Sequence, residues 1–499
     1  MILRRTIRTR GAWAVLMLCA WIPGCAQAPT RTDLSGVVDL PDHWGAGGSS
    51  DSIGASASFE AGLWWQDFGD PELDALVEEA LEHNHDLEAA AARVDMAMAR
   101  ADVAGAARKP TLSAGYDINR QRQNFVGLPI PGAPADQVLS TQFTAQGLSL
   151  NVGWEADLWG RLAAGGRAAL AELGASEADL RGARLSLAAG TTNAWLAVIE
   201  AHLQLQLAQE TADSYRANVD FVRRRYREGR ADPLDLRLLE SDLASSEALI
   251  DARREGLSRT RRQLELLLGR YPDGIVTAAQ DLPSMPAPIP AGLPSELLLR
   301  RPDLVAAELR LVSRDERLAE ARAQLYPSLT LTASLGRRST DFEDLFESAF
   351  DVWSIAAGLL QPIYAGGRIR AGIDLTQAEV RAELAGYAQS MLRAFAEVED
   401  ALLSEGTLEQ RETRLQSASE QALGAQVIAE DRYRSGLADV VTVLTARRLA
   451  LSARSRLLEV RLARLQNRVG LHLALGGDFD GARAPVIQAS GGLAAEEKL

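Results

Sequence analysis

The amino-acid sequence predicts a mainly α-helical protein with a smaller β part, built from two structural repeats. Residues 85–87 and 302–304 have similar sequences, and each segment begins a helical pattern that ends at a proline. Alternating strand patterns also occur twice, and each is followed by a helical pattern far longer than an ordinary helix. A duplication of this length indicates that the fold and the function belong to the whole repeat.

The spacing of the repeats changes once along the chain. Asp86 and Asp303 are 217 residues apart, whereas Gly160 and Gly367 are 207 residues apart. The ten additional residues of the first copy lie in its strand region, most simply in the Gly/Pro-rich segment 127–134. The long helices therefore keep one constant offset, as two equivalent parts of one architecture require.

The first 24 residues have the composition of a signal peptide, with four arginines before a short apolar segment. The following Ile22-Pro23-Gly24-Cys25 is similar to a lipobox, which predicts a diacylglycerol and an N-acyl lipid on Cys25. The alternative is an ordinary secretory signal peptide. Residues 25–60, rich in Ser, Gly, Asp and Pro, then form a lipidated N-terminal arm.

Repeat 1 covers residues 61–282 and begins with a helix that starts at Asp70-Pro71 and breaks near residues 83–86. Its β-hairpin is predicted at 111–154, with strands of roughly nine or ten residues. No proline occurs between Leu158 and Asp232, which predicts a long helical hairpin over 160–268 with its turn at residues 229–233.

Repeat 2 covers residues 295–476 and follows a proline-rich linker at 283–294. It has the same order of elements: a helix, a β-hairpin at 328–361, and a long helical hairpin at 366–475 with its turn near Gly436. The tail, residues 477–499, is predicted to be weakly ordered.

Composition excludes several classes of protein. A net charge of −14 argues against nucleic-acid binding. Cys19 lies in the signal peptide and leaves Cys25 as the only cysteine of the mature chain, so no internal disulfide is possible. The sequence has no nucleophile elbow, phosphate loop or Cys/His cluster, which predicts no enzyme activity, no metal site and no cofactor besides the lipid on Cys25.

Each predicted strand has one apolar and one polar face, and strands of this length cross a bilayer when they are tilted. Four strands cannot close, because transmembrane barrels need about eight or more. An open sheet in lipid would leave backbone groups unpaired. The alternatives are a soluble sheet covered by helices or a barrel shared between identical chains, and helices about 100 Å long favour the second.

Motifs along the chain support a specific resemblance. The segment 292–308 resembles the LPSxLLxRRPD…AE signature of TolC-like outer-membrane efflux factors, in particular their lipoprotein branch. Residues 64–71, 157–161 and 362–368 are similar to further motifs of that family, and the resemblance covers roughly residues 60 to 475. It implies a homotrimer: a 12-stranded transmembrane β-barrel in the outer membrane, in contact with its lipid and lipid-anchored, that continues into a 12-helix periplasmic α-barrel.

The resemblance also implies a function. Such a protein is the passive outer-membrane exit channel of a tripartite efflux pump for drugs or other small molecules. Its partners are a periplasmic adaptor protein and an inner-membrane RND-type transporter. Two alternatives remain open: a type I protein-secretion duct, and a non-conducting structural lipoprotein that spans the envelope.

The turns of the two helical hairpins contain the candidate functional residues. A narrow opening lined by charge selects ions, and Tyr and Arg side chains can connect neighbouring hairpins. The candidate gate consists of Asp232, Asp235, Asp439, Arg230, Tyr226 and Tyr433. The candidate adaptor contact, by resemblance, consists of Arg227, Gly229, Arg434 and Gly436.

The same residues also have structural interpretations. Asp232 and Asp439 are suited to cap helix N-termini, and Gly229 and Gly436 to end helices. The aspartates that line the constriction of TolC match Thr442 and Thr445 here, so this chain departs from that pattern.

Overall fold

The structure, a computed structural model, describes residues 32, 44–45, 63–125, 139–289 and 300–477. The predicted signal peptide, Cys25, most of the arm, the segment 127–134, the end of the linker and nearly all of the tail lie outside the described residues.

Repeat 1 begins with a short 3₁₀ helix at Trp64–Phe68. Its further elements are α1 (Pro71–His83), α2 (His85–Ala106), β1 (Thr111–Phe125), β2 (Leu139–Ala156), α3 (Arg161–Arg227) and α4 (Pro233–Leu267).

From α2 onward, the described part of repeat 2 has the same order of helices and strands. They are α5 (Pro302–Ala323), β3 (Ser328–Ser339), 3₁₀ turns at Glu343–Phe346 and Ser348–Phe350, β4 (Asp351–Leu360), α6 (Arg368–Arg434) and α7 (Val440–Ala474).

Corresponding helices of the two repeats have equal lengths. Both α3 and α6 have 67 residues, and both return helices, α4 and α7, have 35. At ~1.5 Å per residue the longer helices measure about 100 Å. The constant offset of 207 residues in the sequence therefore corresponds to helices that begin and end at equivalent positions.

The break between α1 and α2 has a local cause. Asp70 caps α1 by accepting hydrogen bonds from the backbone N–H groups of Glu72 and Leu73, with Pro71 as the first helical residue. Asn84 then leaves the helical conformation, and its Oδ1 accepts from the N–H of Leu87 at 3.0 Å, which begins α2. The break is thus observed where the sequence predicts it.

The four strands form one antiparallel sheet in the order β1-β2-β3-β4. The register aligns their apolar positions in rows, such as Leu112, Val152, Ala333 and Ile355. Most large side chains on this face are exposed, from Val152 at 36% to Ile355 at 78%. The other face has mostly Ser, Thr, Asn and Gly.

The predicted strand length is wrong for repeat 1. β1 has 15 residues and β2 has 18, rather than nine or ten, whereas β4 has 10. The ladder continues from Asn119↔Ala145 to Phe125↔Leu139. Alternation did not reveal this part because polar side chains occupy both faces there.

The chain divides into two compact units, and these do not coincide with the repeats. Among the described residues, unit 1 contains 32, 96–125, 139–173 and 309–384, and unit 2 contains 44–45, 63–95, 174–289, 300–308 and 385–477, so each unit includes parts of both repeats. In unit 2, Trp64 and Phe68 of repeat 1 lie in one buried cluster with Trp195 and with Leu465 and Val469 of repeat 2. The two repeats therefore share a hydrophobic core.

The RRPD segment has a structural role within unit 2. The Arg301 guanidinium donates to Asp303 and Glu397, and to the carbonyl oxygen of Ala474 at 3.2 Å. One buried side chain therefore connects the start of α5 with α6 and with the last residue of α7. Burial disfavours the Asp303 carboxylate, but Arg301 and backbone N–H groups lower the pKa of Asp303 overall.

Candidate functional site at the helical turns

The turns of the two helical hairpins lie together in unit 2. Val222 and Leu239 of hairpin 1 form one buried cluster with Val440 and Leu444 of hairpin 2, and Tyr433 packs against it. The predicted gate residues from both repeats are therefore brought to one region of the structure.

A Schellman motif ends each long helix. The N–H of Arg230 donates to the carbonyl of Arg225, and the N–H of Leu437 donates to the carbonyl of Arg432, both at 2.8 Å. Gly229 and Gly436 adopt φ angles of 71° and 73°, which disfavour any residue with a Cβ. The C-cap interpretation of both glycines is therefore confirmed. Both glycines are also exposed, so a partner can approach their backbone.

The N-cap interpretation of two aspartates is confirmed as well. Asp232 Oδ1 accepts from the N–H of Leu234 at 2.7 Å. Asp439 Oδ1 accepts from the N–H and the hydroxyl of Thr442, at 2.8 and 2.6 Å. These two hydrogen bonds lower the pKa of Asp439.

The three aspartates Asp232, Asp235 and Asp439, here named the tip aspartates, influence one another electrostatically. Burial is the main factor that raises the pKa of Asp235, the carboxylates of the other two raise it further, and Arg225 opposes them. Burial also raises the pKa of Tyr433, with a further contribution from Asp235. One half-buried carboxylate thus lies among charged groups from both hairpins.

The other predicted residues have local surroundings. Arg230 forms an ion pair with Glu228 at 3.5 Å, and Arg434 with Asp431 at 3.1 Å. Arg227 is exposed, as is Tyr226 at 43%. No hydrogen bond or ion pair within the described ranges connects these four side chains to the tip aspartates. Arg225, which the sequence interpretation did not select, contributes to the site instead.

Two adjacent arginines of α7 lie behind the turns, and sequence reasoning missed both. Arg447 is 4% exposed, forms an ion pair with Glu430 at 2.8 Å, and lies over the ring of Tyr215. Arg448 forms an ion pair with Asp242 of α4 at 2.7 Å and so connects the two return helices. The sequence feature that could have identified them is a pair of adjacent arginines in an otherwise apolar segment of α7.

Thr442 and Thr445, at the positions that match the constriction of TolC, are both exposed. Across the residues with described positions, no group of three or more His, Cys, Asp or Glu has the arrangement of a metal site.

The apolar face of the sheet is a second candidate functional surface, in unit 1. Trp154 lies at its helix-side end, where its indole N–H donates to the carbonyl of Arg108 at 2.9 Å. Tyr116 lies six residues away in register and contacts Phe342 edge to face. Aromatic side chains thus border an apolar band of about 20 Å, similar to the bands of membrane-spanning strands.

None of the helices in the described parts of the chain is long and apolar enough to span a membrane.

Comparison with known proteins identifies the family. The model of the outer membrane efflux protein family matches residues 76–270 and 293–477, one match in each repeat. The chain belongs to the outer membrane efflux protein family. The resemblance, the TolC-like fold and the duplication are therefore confirmed, and this efflux protein is located in the outer membrane with a periplasmic extension.

Relatives match this efflux protein over nearly its full length. The pyoverdine export outer membrane protein OpmQ of Pseudomonas aeruginosa is 34% identical over 474 residues, which cover 94% of this chain and 97% of OpmQ. The outer membrane protein OprJ of the same species is 32% identical over 490 residues, which cover 96% and 98% of the two chains.

A solved structure gives the same result. The outer-membrane channel OprN superposes with a TM-score of 0.80 at 28% identity, over 90% of this chain and 99% of OprN.

Proposed function

We propose that this efflux protein is the passive exit channel of a tripartite pump that exports drugs or other small molecules to the exterior. The observation that supports this most strongly is an exposed apolar sheet joined directly to helices of about 100 Å. Such a sheet suits lipid, and such helices suit the crossing of the periplasm.

Several copies of the chain complete the channel. β1 and β4 are the edge strands of the sheet, and four strands are too few to close in lipid. Unpaired edge groups there would each cost several kcal/mol, so strands from other copies have to cover them. Three copies, the number that the family resemblance implies, would give a 12-stranded β-barrel and a 12-helix α-barrel.

The exposure of α6 supports the same assembly. Large apolar side chains along this helix are exposed, among them Leu375, Leu392, Leu403, Val427 and Ile428. Most residues of the equivalent helix α3 are buried or half-buried within the chain. Since exposed apolar stripes indicate contact surfaces, a neighbouring copy would cover α6.

The partners follow from this role. Because a passive channel supplies no energy, an inner-membrane RND-type transporter and a periplasmic adaptor would drive export. The adaptor would dock at Gly229 and Gly436, beside Arg227 and Arg434, where the backbone is accessible. Lipid on Cys25 would anchor the chain, and no enzymatic step or further cofactor is needed.

Gating is assigned to the turns. The tip aspartates would attract cations at the periplasmic mouth. Tyr433, beside Asp235, would connect the two hairpins in the closed state, together with Tyr226 and Arg230 once neighbouring copies are present.

The names of relatives favour small-molecule export. OpmQ is named for pyoverdine export, and the Escherichia coli relative CusC, 29% identical over 465 residues, for cation efflux. A protein-secretion duct and a non-conducting structural lipoprotein are the alternatives.

Two measurements test the proposal. Purified protein in a planar bilayer should conduct when the adaptor is present, and absent conductance would support a structural lipoprotein instead. A deletion strain should become more susceptible to drugs. Unchanged drug susceptibility with loss of a secreted protein would favour the secretion duct.

A further inference from the structure

The two edge strands of the sheet have opposite charges beyond the apolar band. β1 continues past Ile118 to Arg120 and Arg122, whereas β4 begins at Asp351. Side chains alternate along a strand, so these three residues belong to the same face as the apolar rows. They lie at the hairpin end of the sheet, away from the helices.

The two arginines lack acidic partners within the described part of their own chain. The residues opposite them on β2 are Thr144 and Gln142, and Arg122 Nε donates to the hydroxyl of Ser140 at 3.0 Å. Both arginines are exposed. Two cations next to an apolar band favour an anionic neighbour.

Asp351 is the acidic residue at the other edge. Its Oδ1 accepts from Arg337 Nε at 2.7 Å, and half of the Asp351 side chain, 51%, is still exposed. A carboxylate has acceptor sites for more than one guanidinium, so a second arginine can bind it.

The stagger of the strands predicts which residues would meet between copies. Residues directly opposite one another across the sheet are Thr111, Gly153, Thr332 and Ala356. Thr111 is the residue at the helix-side end of its strand. Gly153 lies three residues from that end of its strand, and Thr332 and Ala356 each lie four residues from it. If β1 of a second copy pairs with β4, this trend places the residue opposite Ala356 about four to six positions after the start of that β1.

The alternation of faces restricts the register further. Ala356 lies on the polar face, so the residue opposite it in the second copy has to be Gly115 or Asp117. The first register places Asp351 opposite Arg120, and the second places it opposite Arg122. Both registers bring the carboxylate to an arginine.

We propose that Asp351 of one copy forms an ion pair with Arg120 or Arg122 of the next copy, and that this pair fixes the register where β4 of one chain joins β1 of another. The inference rests on the shared sheet of the proposed function. A slip by two residues beyond these registers would place Asp351 opposite Ile118 or Asn124, where it has no arginine partner. Loss of the ion pair therefore disfavours closure of the shared sheet in a wrong register.

Disulfide crosslinking tests the register in the full-length chain. Asp351→Cys is combined, one at a time, with cysteine at positions 118, 120, 122 and 124. Within one chain β1 and β4 are separated by two strands, about 14 Å, so a disulfide has to join two copies. Each variant with only one of the two introduced cysteines is the matched control, which also accounts for Cys25.

The outcomes separate this inference from the proposed function. Crosslinked oligomers on a denaturing gel are expected at position 120 or 122. Crosslinks only at 118 or 124 would overturn the ion pair and leave the shared sheet intact. No crosslink at any of the four positions would overturn both.

Charge reversal tests the ion pair itself. Arg120→Glu with Arg122→Glu should cause loss of the assembled oligomer in mild detergent. Adding Arg337→Glu with Asp351→Arg should restore the oligomer. This double change reverses both charges of the pair between positions 337 and 351 within each chain, and it places an arginine at 351 opposite the new glutamates. Failure of this restoration would overturn the pair, and it is the outcome expected if lipid phosphates bind the arginines.

Discussion

Replacing Arg447 by methionine should destabilise the region behind the turns far more than the same change at its neighbour Arg448. Both side chains form an ion pair at less than 3 Å, but Arg447 is 4% exposed, whereas the Arg448 side chain is 65% exposed. The two variants therefore compare a buried with an exposed arginine on one turn of one helix, each paired with a largely buried carboxylate, Glu430 at 18% and Asp242 at 13% exposure.

The magnitudes follow from burial. Removing one partner of a buried pair costs about 3–5 kcal/mol, because the remaining charge stays without its counterion. Glu430 would keep a hydrogen bond from Gln426 at 2.9 Å and a longer contact with Arg434 at 3.7 Å. The expected cost is therefore at the lower end, about 3 kcal/mol for Arg447. For Arg448 it is smaller, about 1 kcal/mol, because water screens its exposed guanidinium and can hydrate the Asp242 carboxylate once the arginine is removed.

Thermal unfolding in detergent, followed by circular dichroism, measures the difference between the two variants. A second variant, Arg447→Met with Glu430→Leu, removes both charges and should recover most of the lost stability, since no buried charge is left unpaired. Equal decreases of the melting temperature for the two single variants would refute the burial argument. Failure of the double variant to recover would show that the Arg447–Tyr215 contact dominates instead.

Three further predictions concern the turns and the core. Replacing all three tip aspartates by asparagine should keep the N-caps but reduce cation preference in planar bilayers; an unchanged reversal potential would exclude them from the selective region. Burial, with a contribution from Arg468, lowers the pKa of His472 to about 4 from 6.5, so the unfolded chain binds the proton first as pH falls. Stability should therefore be lost between pH 6.5 and about 4, by at most ~3 kcal/mol. The variant His472→Phe, whose ring can still stack on Trp64, should remove this part of the pH dependence of the melting temperature. Alanine at Gly229 or Gly436 should cost about 1–2 kcal/mol because of the positive φ angle, with asparagine better tolerated, and equal melting temperatures for alanine and glycine would contradict this.

Local signals explain why much of the fold could be predicted from the sequence. Asp70-Pro71 begins α1, Asn84 separates it from α2, and Gly229 and Gly436 end the long helices, because each of these residues acts on backbone groups a few positions away. The faces of the strands followed from alternation in the same way. At the site, the capping roles of Asp232 and Asp439 could also be predicted from the sequence, because a cap acts on nearby backbone groups.

Contacts between distant segments could not be read from local patterns. The pairing of β2 with β3, which joins the two hairpins into one sheet, connects residues such as Leu150 and Leu335 that no local motif relates. The same holds for the electrostatic influence of Asp439 on Asp235 and for the Arg448–Asp242 ion pair between the return helices. The extra length of β1 and β2 was missed because their outer ends are polar on both faces.

The sequence by itself thus determined the two repeats, the constant helix lengths and the family, since these depend on periodicity and on short motifs. Only the tertiary structure decided which carboxylates share one patch, which of two adjacent arginines is buried, and which strands are the edges of the sheet. Those properties depend on the packing of segments about 200 residues apart, where burial and the proximity of charges set the energies.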